Sequence, residues 1–124
     1  MGANQQYNTA LQAEDQNNIS SLLLLIHNEY HSISNYAELE TAIRVSSIEC
    51  TRLFRKYLKM TPMEYIRQYR IKMACQLLTN TDLTVTEISE RCNMNASYLS
   101  KKVRETTGFS PLEYRRNHLR KQYK

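Results

Sequence analysis

The 124-residue sequence predicts an all-α fold. Helix-start signals recur along the chain, apolar residues follow each of them at helical spacing, and no segment alternates polar and apolar residues over the length of a strand. The chain also contains only two glycines, which suits an ordered helical chain better than a flexible one. We therefore expect seven helices.

A gapless internal repeat organises most of the chain. Residues 38–67 align with residues 87–116 at a constant offset of 49 positions. Such a repeat usually means that one supersecondary unit is used twice. Six residues of the first copy are identical to their counterparts in the second: Glu38, Arg55, Pro62, Glu64, Tyr65 and Arg67.

The chain begins with a polar segment. Residues 1–18 are rich in Asn, Gln and Ala without an apolar period, so we interpret them as a disordered linker or a non-native remnant. Apolar residues then recur at helical spacing from Ile19 to about His31, which predicts the first helix. His27 lies one turn before His31, but Asn28 stands where a metalloprotease pattern has Glu and no third ligand is near. Packing or surface histidines are therefore favoured over a metal site, and no cofactor is expected.

The later helix starts are marked by capping boxes, in which Ser, Thr or Asn is followed three positions later by Glu. Pro62 and Pro111 occupy first helical positions, where a missing N–H costs nothing. Asn95 caps a helix without the glutamate, and Gly108 is placed to end that helix in the left-handed conformation. The boxes are Asn35/Glu38, Ser46/Glu49, Thr61/Glu64, Thr84/Glu87 and Ser110/Glu113. The predicted helices are 19–31, 36–43, 47–58, 62–79, 85–92, 96–106 and 111–121.

Residues 36–58 and 85–106 each fit a helix-turn-helix, which needs a short helix, a short turn, and a second helix with one apolar and one polar face. The first unit turns at Arg44 and Val45, and Ser46 caps its second helix. The chain is therefore divided into a linker (1–18), a first helix-turn-helix subdomain (19–60), a linker helix (61–80) and a second helix-turn-helix subdomain (81–124). The residues predicted to be buried are Leu39, Ile43, Cys50, Leu53, Phe54 and Tyr57 in the first unit, and Ile88, Cys92, Met94, Leu99 and Val103 in the second.

Positive charge is concentrated in the repeated region. No Lys or Arg precedes Arg44, and the residues from there onward carry 17 basic and 7 acidic side chains. A basic surface serves solubility or binds a polyanion, and this concentration favours the second, with double-stranded DNA as the partner. The N-terminal half of each second helix is expected to enter the major groove. The predicted base-reading residues are Ser47, Ile48, Thr51, Arg52, Ala96, Ser97, Ser100 and Lys101, and the predicted phosphate-binding residues are Ser46, Arg55, Asn95 and Arg104.

The predicted helix at 62–79 sets the spacing between the two units. It contains no internal Gly or Pro, so we expect it to be stiff. At a rise of ~1.5 Å per residue it spans roughly 27 Å, against ~34–36 Å between successive major-groove faces of B-DNA. A rigid pair of readers with this mismatch is expected to bend its DNA, at a cost on the order of 1–6 kcal/mol.

Three segments resemble the AraC/XylS family of transcription regulators: residues 61–71, which open the long helix, residues 86–89, and residues 107–115. The resemblance covers about residues 19–121. It implies a DNA-binding module that usually forms the C-terminal part of a bacterial-type regulator, often an activator that contacts RNA polymerase. The base-reading positions that it carries over are Ile48, Thr51 and Arg52 in the first unit, and Ala96, Ser97 and Lys101 in the second.

The sequence departs from the family pattern at several turn positions. The turn residue that is often Gly in the family is Arg44 in the first unit and Asn93 in the second. Asn tolerates a left-handed backbone better than Arg, so the first turn is expected to be irregular. Lys59 stands where the second copy has Gly108, and Val103 replaces an aromatic residue.

Two other function classes compete with DNA binding. The same fold is attached to a DNA-repair methyltransferase whose thiol is a nucleophile, but Cys50, Cys75 and Cys92 all fall on apolar faces and are predicted to be inert core residues. Their odd number and wide spacing suit free thiols in a reducing cytoplasm, which predicts a cytoplasmic protein. A helical bundle that binds other proteins is the third class. The chain is expected to be monomeric, with any dimerisation in a domain that it lacks.

Overall fold

The structure is a computed structural model that describes residues 2–43 and 45–122, including the side chains of residues 10–43 and 45–118. Within these residues the chain forms seven α-helices, one 3-10 turn and no strand, which confirms the predicted all-α class. None of the helices in the described chain is long and apolar enough to cross a membrane. The helices are α1 Gly2–Glu29, α2 Tyr36–Ile43, α3 Ser47–Leu58, α4 Pro62–Asn80, α5 Val85–Arg91, α6 Ala96–Thr107 and α7 Pro111–Gln122, and the 3-10 turn is Tyr30–Ser32.

The first helix differs from its prediction. It begins at Gly2 rather than Ile19, so the interpretation of the described residues before Ile19 as a disordered linker is wrong. Part of this segment has tertiary contacts, because Asp15 forms ion pairs with Arg52 and Lys56 of α3. A search for local apolar periods does not detect such contacts. The remaining division of the chain into subdomains stays a prediction.

The six later helices start where the five capping boxes and the Asn95 cap predict. The box at Thr61 is complete, since the Glu64 amide donates to the Thr61 hydroxyl at 3.2 Å and the Thr61 amide donates to the Glu64 carboxylate at 3.0 Å. The box at Ser46 is half-formed. The Glu49 amide donates to the Ser46 hydroxyl at 3.2 Å, but the Glu49 carboxylate accepts hydrogen bonds from Arg52. The capping residue thus marks the start of the helix even where the glutamate accepts hydrogen bonds from another side chain.

The described chain falls into two compact units. In the first, α1 packs against α2 and α3, and α2 packs against α3. In the second, α6 packs against α5 and α7. The predicted interiors are confirmed, with Tyr57 and Met94 half-buried and the others buried. The core of the second unit is formed by Ala74, Leu78, Ile88, Cys92, Leu99 and Val103.

Among the described residues, three adopt the left-handed backbone conformation. Asn93 has φ +55° at the predicted turn position, and Gly108 has φ +83° at the end of α6, as predicted. Lys59, the repeat counterpart of Gly108, has φ +59° at the end of α3. Arg44, for which an irregular turn was expected, lies outside the described residues.

The helix ends at Lys59 and Gly108 support a stability prediction. Replacing Gly108 with alanine should lower the free energy of unfolding by about 1 kcal/mol, because a β-carbon is disfavoured in the left-handed conformation. An added Cβ would meet no atom within 4 Å, so the cost comes from the backbone alone. Lys59→Gly relieves the same strain and should raise the free energy of unfolding by about 0.5–1 kcal/mol. Urea unfolding followed by circular dichroism measures both, and two shifts of the same sign would contradict the explanation.

Candidate nucleic-acid interface

The first recognition helix, α3, has one buried and one exposed face. Cys50, Leu53 and Phe54 are fully buried. On the opposite side Ile48 is 82% exposed and Arg55 is exposed, while Thr51 is partly exposed. The predicted base-reading residues of α3 therefore lie on its solvent face, together with the partly exposed Ser47.

A shallow depression of about 300 Å³ adjoins this face. It is lined by Tyr36 at the start of α2 and by Ser47, Ile48 and Thr51 of α3. Tyr36 was missed by sequence reasoning, although it opens the first helix of the helix-turn-helix. An exposed isoleucine beside an exposed tyrosine ring is an apolar surface suited to a thymine methyl group.

The N-terminus of α3 already holds a carboxylate. Glu40 of α2 accepts a hydrogen bond from the Ser47 amide at 2.9 Å, and the bonds from Ser47 hold the pKa of Glu40 below its usual value. Ser46 caps the helix as predicted, with its side chain accepting from the Glu49 amide. Because an anion bound at a helix N-terminus uses these same donors, a phosphate here must compete with Glu40.

Arg52 is held by two carboxylates. Its Nε donates to Glu49 Oε2 at 3.0 Å and its Nη2 donates to Glu49 Oε1, which fills one edge of the guanidinium. Its Nη2 also donates to Asp15 Oδ1 at 2.9 Å, and its Nη1 donates to Asp15 Oδ2 at 3.3 Å, which fills the other edge. Each edge presents the pair of N–H groups that a bidentate partner requires.

Asp15 is the hub of this cluster. The Lys56 ammonium lies 3.1 Å from Asp15 Oδ2, and the Tyr57 hydroxyl donates to the same oxygen at 3.4 Å. The hydrogen bonds from Arg52, followed by those from Lys56, lower the pKa of Asp15 to about 2. Asp15 and Lys56 were missed by sequence reasoning. The partners are 37 and 41 residues apart, so no local pattern pairs them.

The second recognition helix, α6, is arranged differently. Asn95 caps it, since its side-chain oxygen accepts from the amides of Ser97 at 2.8 Å and Tyr98 at 3.3 Å. Its first turn contains no acidic residue. The predicted base-reading and phosphate-binding residues of this helix are exposed or partly exposed: Ala96, Ser97, Ser100, Lys101 and Arg104.

The cations of the two helices differ in their ion pairing. Within the part of the chain that the structure describes, Arg55, Lys101 and Arg104 form no ion pair, whereas Arg52 and Lys56 do. The carboxylates of Asp15 and Glu49 therefore neutralise the charge of part of α3, whereas in the described chain Lys101 and Arg104 of α6 have no carboxylate within ion-pair distance.

Two arginines of the basic region support the fold. Arg70 is buried, and its Nε and Nη2 donate to the Tyr30 carbonyl at 3.2 and 2.8 Å. Arg115 donates to the carbonyls of Leu78 at 2.8 Å and Leu83 at 2.6 Å. The charge count of the sequence thus overstates the number of cations at the interface.

The three cysteines and His27, which were considered for a reactive thiol and a metal site, also have defined surroundings. Cys50 and Cys92 are buried and Cys75 is partly buried. Burial raises the pKa of the Cys50 thiol to about 11 and also raises the pKa of the other two, which disfavours the reactive thiolate. The His27 Nε2 lies 2.6 Å from the Tyr65 hydroxyl, so this histidine has a packing partner.

Comparison with known proteins agrees with this geometry. The sequence model of a family described as a helix-turn-helix domain matches residues 39–117. A structure of an AraC-type DNA-binding domain-containing transcriptional regulator from Chromobacterium violaceum superposes with a TM-score of 0.76 at 23% identity, covering 86% of this chain and 96% of that one. The chain belongs to the AraC-type helix-turn-helix family. Members of this family are DNA-binding domains of transcription regulators.

Other matches extend the comparison. The DNA-binding domain of AdpA, solved in complex with a target DNA, has a TM-score of 0.75 at 22% identity, covering 85% of this chain and 96% of that one. An uncharacterised helix-turn-helix regulator of Bacillus subtilis, YdeC, is 30% identical over 99 residues, which are 79% of this chain and 34% of YdeC. The activator RhaR of Cronobacter sakazakii is 34% identical over 86 residues, which are 68% of this chain and 28% of RhaR. The matched part of the chain thus spans about a third of the length of these two curated relatives.

Proposed function

We propose that α3 and α6 read double-stranded DNA in adjacent major grooves. The observation that carries this proposal is the matched pair of amphipathic helices. Each is capped at its N-terminus, buries its apolar side, and presents a cation, Arg55 or Arg104, at the same repeat position of its exposed side. The continuous helix α4, 19 residues long, connects the two helix-turn-helix units.

The exposed side chains suggest how bases are read. Arg52 and Lys101 are donors suited to guanine O6 and N7, and the hydroxyls of Thr51 and Ser97 can bond several bases. Ile48, beside Tyr36, and Ala96 are suited to thymine methyl groups. Ser47 and Ser100 complete the proposed base-reading set.

Phosphate contacts fix the protein on the duplex. We assign them to Arg55 and Arg104 and to the two capping residues. The Ser46 hydroxyl accepts a bond within its helix, which leaves its proton for a phosphate oxygen. The oxygen of the Asn95 amide is used by the helix, which leaves its NH₂ group for the same purpose.

We infer that the chain is a DNA-binding part of a longer regulator, with RhaR favouring an activator. RNA polymerase is then a second partner, and this part of the protein acts as a monomer. A cytoplasmic location suits the three free cysteines. A reaction that uses a cysteine nucleophile is disfavoured by the raised pKa of all three thiols.

Selection of duplexes from a random pool, followed by footprinting, tests the proposed function. We expect one selected sequence motif and two protected major-groove segments on one side of the duplex, about one turn apart. A single protected segment would contradict the assignment of two readers, and failure to select any sequence would contradict base reading.

Variants of α3 separate base reading from phosphate contact. Arg52→Ala should weaken binding to the selected site by about 1–3 kcal/mol and have little effect on a scrambled duplex. Arg55→Ala should weaken binding to both duplexes alike, because phosphates are the same in every sequence. Fluorescence anisotropy at fixed salt measures both, and Lys102→Ala is the control because this lysine is paired with Glu105 at 3.1 Å. Unchanged binding of Arg52→Ala to its selected site would remove Arg52 from the base-reading set.

A further inference from the structure

Asp15 lies on α1, outside both helix-turn-helix units, yet contacts the predicted reading face of α3. Its carboxylate has both oxygens engaged, one by Arg52 and the other by Arg52, Lys56 and Tyr57. The Asp15 side chain is only 11% exposed, whereas those of Arg52 and Lys56 are 45% and 49% exposed. The carboxylate thus approaches these cations from the protein side and leaves them partly open to solvent.

The hydrogen bonds leave Arg52 no edge with which to read a base. A guanine presents O6 and N7 side by side and accepts two parallel N–H bonds from one edge of a guanidinium. Glu49 fills the Nε/Nη2 edge, and Asp15 fills the Nη1/Nη2 edge. Arg52 must leave one of these carboxylates before it can bind guanine bidentately.

We propose that Asp15 is a masking residue, which holds Arg52 and Lys56 away from DNA and thereby sets the affinity of the first recognition helix. The proposal rests on the proposed function of Arg52 as a base-reading residue. Binding then requires an exchange, in which Arg52 turns from Asp15 to a base and Lys56 is released toward the phosphate backbone. The fraction of molecules with Arg52 released multiplies the intrinsic affinity.

In the described chain the second unit has no equivalent of the carboxylates that pair with Arg52. Lys101, the repeat counterpart of Arg52, forms no ion pair there, and Tyr98 occupies the position that corresponds to Glu49. A binding pathway follows from this difference. The α6 helix presents Lys101 and Arg104, which have no ion pair in the described chain, at first contact, and α3 engages its bases after Asp15 has released Arg52.

Asp15→Asn tests the mask, with Glu14→Gln as a matched control. Both changes remove one negative charge from α1, but Glu14 is exposed and lies one residue away. We expect Asp15→Asn to tighten binding to the selected duplex about two- to tenfold, as release from exposed ion pairs implies. Glu14→Gln should change it by less than about twofold. In an Arg52→Ala background the gain from Asp15→Asn should shrink to the part that comes from release of Lys56, and in an Arg52→Ala/Lys56→Ala background it should fall to the level of the control.

A thermal melt distinguishes masking from a purely structural role. Asp15→Asn removes hydrogen bonds between α1 and α3, so its Tm should fall while its affinity rises. The mask would be overturned if the affinity of Asp15→Asn fell together with its Tm, or if it equalled the affinity of Glu14→Gln. A gain in affinity that persisted in full without Arg52 would also overturn it. These outcomes leave the proposed function standing, whereas wild-type protein that ignores duplex DNA at low salt would overturn both.

Discussion

Phe54→Ala is expected to lower the free energy of unfolding by about 3–5 kcal/mol, as for other buried phenylalanines. Phe54 is fully buried and is among the largest fully buried side chains of the described chain. Its ring packs edge-on against the Tyr65 ring with 5.6 Å between centroids. The truncation would leave a cavity beneath the reading face of α3, and such a loss is a large fraction of the stability of a small domain.

The repeat supplies a matched comparison for this variant. Val103 occupies the corresponding position in α6 and is also fully buried. Val103→Ala removes fewer apolar atoms, so it should cost about 2 kcal/mol. Urea unfolding followed by circular dichroism gives both values. If Phe54→Ala lowered the free energy of unfolding no more than Val103→Ala, this would show that the first unit closes around the cavity.

The sequence predicted the elements whose signals are local. A capping residue and its glutamate are three positions apart, and their hydrogen bonds, such as those between Thr61 and Glu64, form within one turn. The starts of α2 to α7 could therefore be predicted. The start of α1 could not, since this helix is polar and Asp15 finds its partners in α3.

The features of the candidate site also divide into those that local sequence signals predict and those that they do not. Helical periodicity predicted which side of α3 and α6 faces solvent, because burial of the opposite side depends on spacing along one helix. It did not predict that Arg52 is paired with Asp15, 37 residues away. The total of 17 basic side chains includes Arg70 and Arg115, which donate to backbone carbonyls in the structure. Charge in a sequence shows which cations exist, and the fold decides which of them are free.

Raising the salt concentration should weaken DNA binding by about 12- to 40-fold between about 50 and 200 mM monovalent salt. Each neutralised phosphate contributes a slope of about −0.9 to the dependence of log K on log salt. The two cations assigned to phosphates, Arg55 and Arg104, are exposed and form no ion pair in the described chain, which gives a slope of about −1.8. Release of Lys56 from Asp15 toward the phosphate backbone would extend the slope to about −2.7.

Single variants test which cations produce this slope. Arg104→Ala should make the slope less negative by about 0.9, since one phosphate contact is lost. Lys102→Ala should leave it unchanged, because the Lys102 ammonium is paired with Glu105. Anisotropy titrations at four or more salt concentrations give each slope. Binding that is insensitive to salt would exclude a phosphate-dominated interface and favour the helical bundle that binds other proteins, because a partner surface without a high charge density releases few counterions.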